Sequence, residues 1–293
     1  MKPSPFAYHA PEDVDAALAL LSELGDDGKV LAGGQSLVPM MNMRLAAPPA
    51  LVDITRLADL DHVTVDDDQV TVGATVTHER LRTHPDASRA CPLLRQALDW
   101  VAHPVIRNRG TSVGSIVHAD PAAELPAVLA LLDGSVELRS TQGTRTVAGG
   151  DFVVGPLESD VQPGELATSV SFPALTASTG TAFHELARRH GDYALAGVGV
   201  RVDLDDDRRV AAVRAAFIGV ADRPLVVELT DALSGQAHDA LDTGDAVGHA
   251  RDQLDPNGDI HASGSYRRHL AGILLDRAVC DAVAATTSTQ EAA

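Results

Sequence analysis

Two stretches of small and polar residues carry the chemistry for which this sequence is best equipped. The first is Lys29-Val30-Leu31-Ala32-Gly33-Gly34-Gln35-Ser36-Leu37-Val38-Pro39. The second is Arg107-Asn108-Arg109-Gly110-Thr111-Ser112-Val113-Gly114-Ser115, followed by Ile116-Val117-His118-Ala119-Asp120-Pro121-Ala122-Ala123-Glu124. Glycines strip a turn of side chains, so successive backbone N–H groups converge on an anionic oxygen. Taken alone, Gly33-Gly34 reads more readily as an ordinary tight turn than as a phosphate cradle. Facing each other across a cleft, the two stretches would clasp a diphosphate. Neither is followed by the Gly-Lys-Ser/Thr of a Walker loop, and neither contains Gly-x-Gly-x-x-Gly, so mononucleotide kinase chemistry is disfavoured.

Other constellations are weaker. Ser115, His118 and Asp120 are the residue types of a hydrolytic triad, but on one strand or turn they would point to alternate sides and miss the relay geometry. His103 and His118 lack a third ligand, so no metal site is expected. Met40, Met41 and Met43 read as packing, since thioethers fill irregular gaps and suit few metals. Cys91 and Cys280 lack metal-ligand spacing, cannot hold an iron–sulfur cluster, and read as buried small hydrophobes.

The elements that would position the two stretches follow from periodicity. An amphipathic pattern over residues 11–24 predicts a helix closed by Gly25, and Lys29–Leu31 and Leu51–Ile54 read as short strands, making 1–57 a small α/β unit. Residues 58–175 form a second unit: hairpins at 63–65/70–74 and 136–138/144–147, a Thr77-capped helix, helices over 93–100 and 125–132, and a strand over 168–172. After a small-residue linker at 176–180, residues 181–285 read as an α+β domain. Its strands are 194–204 and 210–220, its helices 225–253 and 265–284, and the tail from Thr286 is expected to fray. The 293 residues are 45% hydrophobic with a formal charge of −18, which excludes disorder and argues against a nucleic-acid partner. The runs Asp66–Asp68 and Asp205–Asp207 read as solvated turns. No apolar run reaches the roughly 18 residues of a membrane span, and the N-terminus lacks signal-peptide features, so a cytoplasmic location is expected.

The motif residues carry a resemblance. Ala32-Gly33-Gly34-Gln35-Ser36-Leu37-Val38-Pro39 with Arg44-Leu45, and Ile106 through Thr111 with His118-Ala119-Asp120-Pro121-Ala122-Ala123-Glu124-Leu125-Pro126, resemble the FAD-binding medium subunit of the molybdenum hydroxylases. This is the xanthine dehydrogenase and carbon monoxide dehydrogenase family. Gly191-Asp192-Tyr193-Ala194-Leu195-Ala196 and Tyr266-Arg267-Arg268-His269-Leu270 are similar to that subunit's C-terminal domain, so the resemblance spans nearly the whole chain.

The resemblance implies an α+β protein with a vanillyl-alcohol-oxidase (PCMH)-type FAD fold in two subdomains and a carbon monoxide dehydrogenase flavoprotein-type C-terminal domain. It implies an oxidoreductase subunit that takes electrons from [2Fe–2S] clusters on a small partner and passes them to an external acceptor. A molybdopterin-binding large subunit would handle the substrate, in a dimer of heterotrimers, and no residue here would be catalytic. The implied FAD contacts are Lys29, Val30, Leu31, Ala32, Gly33, Gly34, Gln35 and Ser36 on one side, and Thr111, Gly114 and Ser115 on the other. Asp120 and Glu124 would lie nearer the ribityl chain or ring, with Val101, His103, Leu166, His184 and Tyr193 completing the site.

The sequence departs from the family pattern twice. Val113 stands where the second loop usually has the first of two glycines, and a Cβ there is expected to crowd a phosphate. Near Phe183, where relatives often offer a lysine to the flavin, this chain has His184 and Glu185. Two other roles stay open from sequence: a self-contained flavin oxidoreductase with its own substrate, and an FAD-free assembly module.

Overall fold

The computed structural model describes residues 2–291. The chain begins with β1 (Ala7–His9), α1 (Val14–Leu24), β2 (Gly28–Leu31), α2 (Leu37–Asn42) and β3 (Ala50–Asp53). All three strands are parallel, in the order β1-β3-β2. Parallel neighbours need crossovers, and α1 supplies the first of them. Its start is fixed by Asp13, whose side chain accepts from the Ala16 amide at 2.7 Å, and its end by Gly25 at φ +54°. Its buried stripe is Val14, Ala17, Leu18 and Leu21.

The middle of the chain contributes β4 (Val63–Val65), β5 (Gln69–Gly73), α3 (His78–Arg82), α4 (Pro85–Ala90), α5 (Pro92–Leu98), α6 (Pro104–Arg107), α7 (Ser112–His118) and α8 (Glu124–Leu131). Then come β6 (Ser135–Ser140), β7 (Gly143–Ala148), α9 (Gly149–Phe152), β8 (Val153–Gly155), β9 (Glu158–Ser159) and β10 (Leu166–Pro173). The two expected hairpins form, and β10 joins them into an antiparallel sheet of order β4-β5-β10-β6-β7.

The last third holds β11 (Thr179–Ala187), β12 (Ala194–Leu204), β13 (Val210–Ile218), β14 (Leu225–Glu228), α10 (Thr230–Leu233), α11 (Gly244–Gln253) and α12 (Gly264–Glu291). Its four strands run antiparallel in chain order. One face of this sheet packs on α12 and the other on α8. The approach of α12 is close enough that a Cβ at Gly180 would lie 1.9 Å from the Ala282 carbonyl oxygen. Phe183, Ala194, Ala216 and Ile218 project from the sheet into the core of the first two sheets, while Val198, Val200 and Phe217 join Leu275 and Val279 of α12 in a second core.

Several expectations need correction. The small-residue segment at 176–180 runs into β11, which the sequence reading missed, and Leu225–Glu228 is a strand. In the second glycine stretch α6 ends at Arg107, residues 108–111 turn, and Ser112–His118 form the short helix α7. Thr286 is buried within α12, which continues to Glu291, and residues 292–293 lie outside the described residues. Cys91 is buried but Cys280 is exposed, and of the three methionines only Met41 is buried while Met43 is exposed.

Candidate functional site

The first loop leaves β2 at Leu31, whose carbonyl accepts from the Ile54 amide at 3.0 Å, and enters α2 through Gly34 at φ +72°. The Gln35 side chain folds back, donating Nε2 to the Gly33 carbonyl at 3.2 Å. The amides of Gly33, Gly34, Gln35 and Ser36 donate to no protein acceptor among the described residues. A bend with four undirected N–H groups is a built anion site, because each amide otherwise relies on solvent.

The second loop is anchored from below. Arg107, nearly buried at the end of α6, donates to the carbonyls of Val101 and Ala102 at 2.9 and 3.0 Å and pairs with Glu79 at 3.1 Å. Hydrogen bonds to Arg82 first, and then to Arg107, hold the Glu79 carboxyl down at about 2. The His78 amide donates to the Gly110 carbonyl at 2.9 Å, and its buried ring lies beneath Gly110. Burial, reinforced by Arg107, lowers the His78 pKa to about 4, so its imidazole is neutral. Thr111 caps α7 by accepting from the Gly114 amide at 3.2 Å, leaving the Thr111 and Val113 amides without a protein acceptor among the described residues. Ala119, at φ +55°, ends the helix and turns the chain to Asp120, which accepts from the Ala122 amide at 2.8 Å.

The two loops touch. A Cβ at Gly33 would stand 2.3 Å from the Arg109 carbonyl oxygen and 2.6 Å from Gly110 Cα, and one at Gly114 would stand 3.8 Å from Ala32 Cβ. Opposite them, the loop before β12 brings Gly191, at φ +86°, against the His103 ring and leads to Tyr193, which is 71% exposed. The Gly219 amide donates to the Pro121 carbonyl at 3.0 Å, pinning the third sheet to the second loop. Between them opens a cavity of about 360 Å³ lined by Asp120, Ala122, Tyr193, Asp222, Asp259 and Arg267 among others. Burial, and then the charges of Asp120 and Glu124, raise the Tyr193 pKa. Burial, and then Asp120, hold the Glu124 carboxyl well above the ordinary carboxylate range.

The expected residues therefore divide. Lys29 to Ser36, His103, Thr111, Gly114, Ser115, Asp120, Glu124 and Tyr193 stand on or beside the two loops, and the Val101 carbonyl braces the second through Arg107. Two do not join them: Leu166 is packed in the hydrophobic core at 2% exposure, and His184 faces α12, pairing with Asp281 at 2.8 Å. Glu185, one residue on, takes the opposite face of β11, the one it shares with Phe183. Only a strand reading of 179–187, with its alternation of faces, would have separated the two.

The expected clash at Val113 is corrected. Val113 lies in the first turn of α7 with its side chain in the core at 2% exposure, so its Cβ does not face the cleft. Ser115 and His118 share a helical spacing of three, so the alternate-side argument against a triad does not apply, yet no hydrogen bond links them among the described residues. Arg107, Glu79, Glu185 and Arg267 went unnamed as site residues because their roles depend on contacts between distant segments.

Two touching glycine loops with amides unengaged by the protein, and a cavity of about 360 Å³ between the end of the second loop and the third sheet, fit a dinucleotide-binding flavoprotein. Residues 4–175 match the FAD-binding domain in molybdopterin dehydrogenase, and residues 181–282 the CO dehydrogenase flavoprotein C-terminal domain. The chain belongs to this family of FAD-binding oxidoreductase subunits. It is 38% identical to the 6-hydroxypseudooxynicotine dehydrogenase complex subunit alpha of Paenarthrobacter nicotinovorans, over 99% of each chain. It is 35% identical to the carbon monoxide dehydrogenase medium chain of Afipia carboxidovorans, over 95% of this chain and 97% of that one. Among solved structures, quinoline 2-oxidoreductase from Pseudomonas putida 86 superposes with a TM-score of 0.91 at 33% identity, covering 98% of this chain and 99% of that chain. No described helix is long and apolar enough to cross a membrane.

Proposed function

We propose that this chain is the FAD-carrying electron-transfer subunit of a heteromeric molybdenum hydroxylase. The observation that carries the reading is the pair of touching loops whose amides have no protein acceptor among the described residues, since a diphosphate is a ligand that such amides suit. Gly33 to Ser36 would hold one phosphate and the N-terminal turn of α7 the other. Asp120 would accept from ribityl or ring N–H groups, and Tyr193 would lay its ring against the flavin. Bound there, FAD supplies a carrier that accepts and releases electrons singly or in pairs. The protein's own part is to bind, orient and tune that carrier, and none of its residues would act as a general acid or base on the substrate.

The electrons would come from a small subunit with two [2Fe–2S] clusters. A large molybdopterin subunit would oxidise the substrate, in a cytoplasmic dimer of heterotrimers. Two observations support clusters on another chain: Cys91 is buried and Cys280 stands alone on α12. The expected contact residues other than Leu166 and His184, and the division at 57/58 and 175/181, go with this role. The test is to purify the tagged chain from its native host and add the substrate of the copurifying large subunit anaerobically. Bleaching of the flavin band together with the cluster bands, and loss of acceptor reduction after FAD is stripped, are expected. Acceptor reduction that persists without FAD, or substrate turnover by the isolated chain, would refute the role.

A further inference from the structure

Where α8 abuts the third sheet, the ladder brings Glu185 and Glu124 to one side: Glu185 pairs in register with Gly197, Gly197 with Ile218, and the next amide, Gly219, donates to the carbonyl of Pro121, three residues before Glu124. Glu185 sits on β11, on the face it shares with Phe183, and is 6% exposed. Its ladder neighbour is Gly197, where a built Cβ would come within 3.4 Å of Glu185 Cγ, so the side chain runs over bare backbone. Its Oε2 is buried and has no hydrogen-bond partner among the described residues. The charge acting on it is Glu124, the first residue of α8. Asp120 acts in turn on Glu124, and both acids act on Tyr193.

The surrounding groups offer no compensation. Arg267 of α12 donates to the carbonyls of Leu195 and Gly219 and pairs with Asp259. Arg188, further along β11's exit, bonds His261, and His184 points to the opposite face, toward Asp281. From β13 the neighbour is apolar Ile218. His118 feels the charges of Asp120 and Lys29, and among the described residues neither His118 nor Lys29 hydrogen-bonds to Glu124 or Glu185. Glu185, buried and with its Oε2 lacking a hydrogen-bond partner among the described residues, is too poorly solvated to carry charge beside a second carboxylate, so it keeps its proton.

We propose that Glu124 and Glu185 hold one proton between them at neutral pH, and that Glu124 takes up a second from solvent when negative charge enters the adjoining cleft. Burial, and then the charge of Glu124, keep the Glu185 carboxyl far above its ordinary range, which makes Glu185 the holder of the first proton. In the uptake step one proton leaves water for a carboxylate oxygen of Glu124. The electrons that bring the charge are those the cofactor receives from its donor. The pair thereby couples the flavin's potential to pH, a consequence that rests on the cleft being the flavin site.

The test uses the full chain as wild type, Glu185→Gln, Glu124→Gln and the double variant. In the apo-chain, infrared spectra at neutral pH should show a protonated-carboxyl C=O band that Glu185→Gln removes. A wild-type spectrum without that band overturns the shared proton, whatever FAD does. After reconstitution, the midpoint potential of bound FAD is followed between about pH 6 and 9. The wild type should fall more steeply than Glu124→Gln or the double variant, by up to about 30 mV per pH unit, because one extra proton per two electrons adds that slope. Superimposable curves overturn the uptake step. FAD stoichiometry on the same samples separates this from failure of the flavin reading, which would show as chains that take up no FAD. Should the double variant not fold, Glu124→Gln alone must lose the extra slope.

Discussion

Replacing Gly33 by alanine tests the clasp where its two loops touch. The added Cβ would lie 2.3 Å from the Arg109 carbonyl oxygen, 2.6 Å from Gly110 Cα and 2.9 Å from the Arg109 carbonyl carbon. All three are backbone atoms, so no side-chain rotation relieves the clash. Restoring an ordinary contact of 3.4 Å from 2.3 Å requires the loops to part by about 1.1 Å. Forcing such an insertion into packed structure costs about 1–3 kcal/mol. Borne by the bound conformation, that cost weakens FAD by about 5- to 150-fold. The assay is titration of apo-chain with FAD, followed by flavin fluorescence, with thermal unfolding of the apo-chain measured alongside. Gly150→Ala serves as control, since nothing lies within 4 Å of its Cβ position, and should bind FAD like the wild type. Wild-type affinity in Gly33→Ala, with unchanged apo stability, would refute the contact between the loops as the basis of the site.

Val113→Gly removes a core side chain from α7 and adds a helix glycine, so unfolding free energy should fall by roughly 2–4 kcal/mol with no gain in FAD affinity. Urea denaturation and FAD titration check both, and tighter FAD would restore a phosphate-facing Val113. Neutral His78 has a folded pKa near 4 against the ordinary 6.5, so the unfolded chain binds the extra proton first and stability should decline as pH falls from 6.5 through 4. His78→Gln should flatten that decline in thermal scans across the same window, and an unchanged profile would assign the acid sensitivity elsewhere.

The sequence disclosed most where pattern and turn chemistry act locally. Thr77 marks a helix start as a cap, Gly25 marks an end, and both hairpins of the middle sheet follow from alternation around short turns. What stayed hidden depends on partners far along the chain. Residues 107–118 look like one glycine loop, yet only 108–111 form a turn and 112–118 fold as α7, the turn braced by Arg107, which finds Glu79 and the carbonyls of Val101 and Ala102. That helical geometry turns Val113 inward, which a loop reading inverts. β11 was missed because Thr179 and Gly180 look like linker, although Gly180 is small to admit α12. The same omission put His184 on the wrong face of β11, since it pairs with Asp281 of α12 while Glu185 takes the other face, a one-residue shift that in a strand exchanges faces.

The central claim is that residues 29–36 and 107–120 close on one FAD. Hydrogen exchange of the full chain with and without FAD tests it most directly, because the amides of Gly33 to Ser36, Thr111 and Val113 have no protein acceptor among the described residues. One equivalent of FAD should slow exchange in peptides covering both loops together, with little change in α11 or in the β6–β7 hairpin. Bound FAD that leaves either loop exchanging at its apo rate would contradict the clasp.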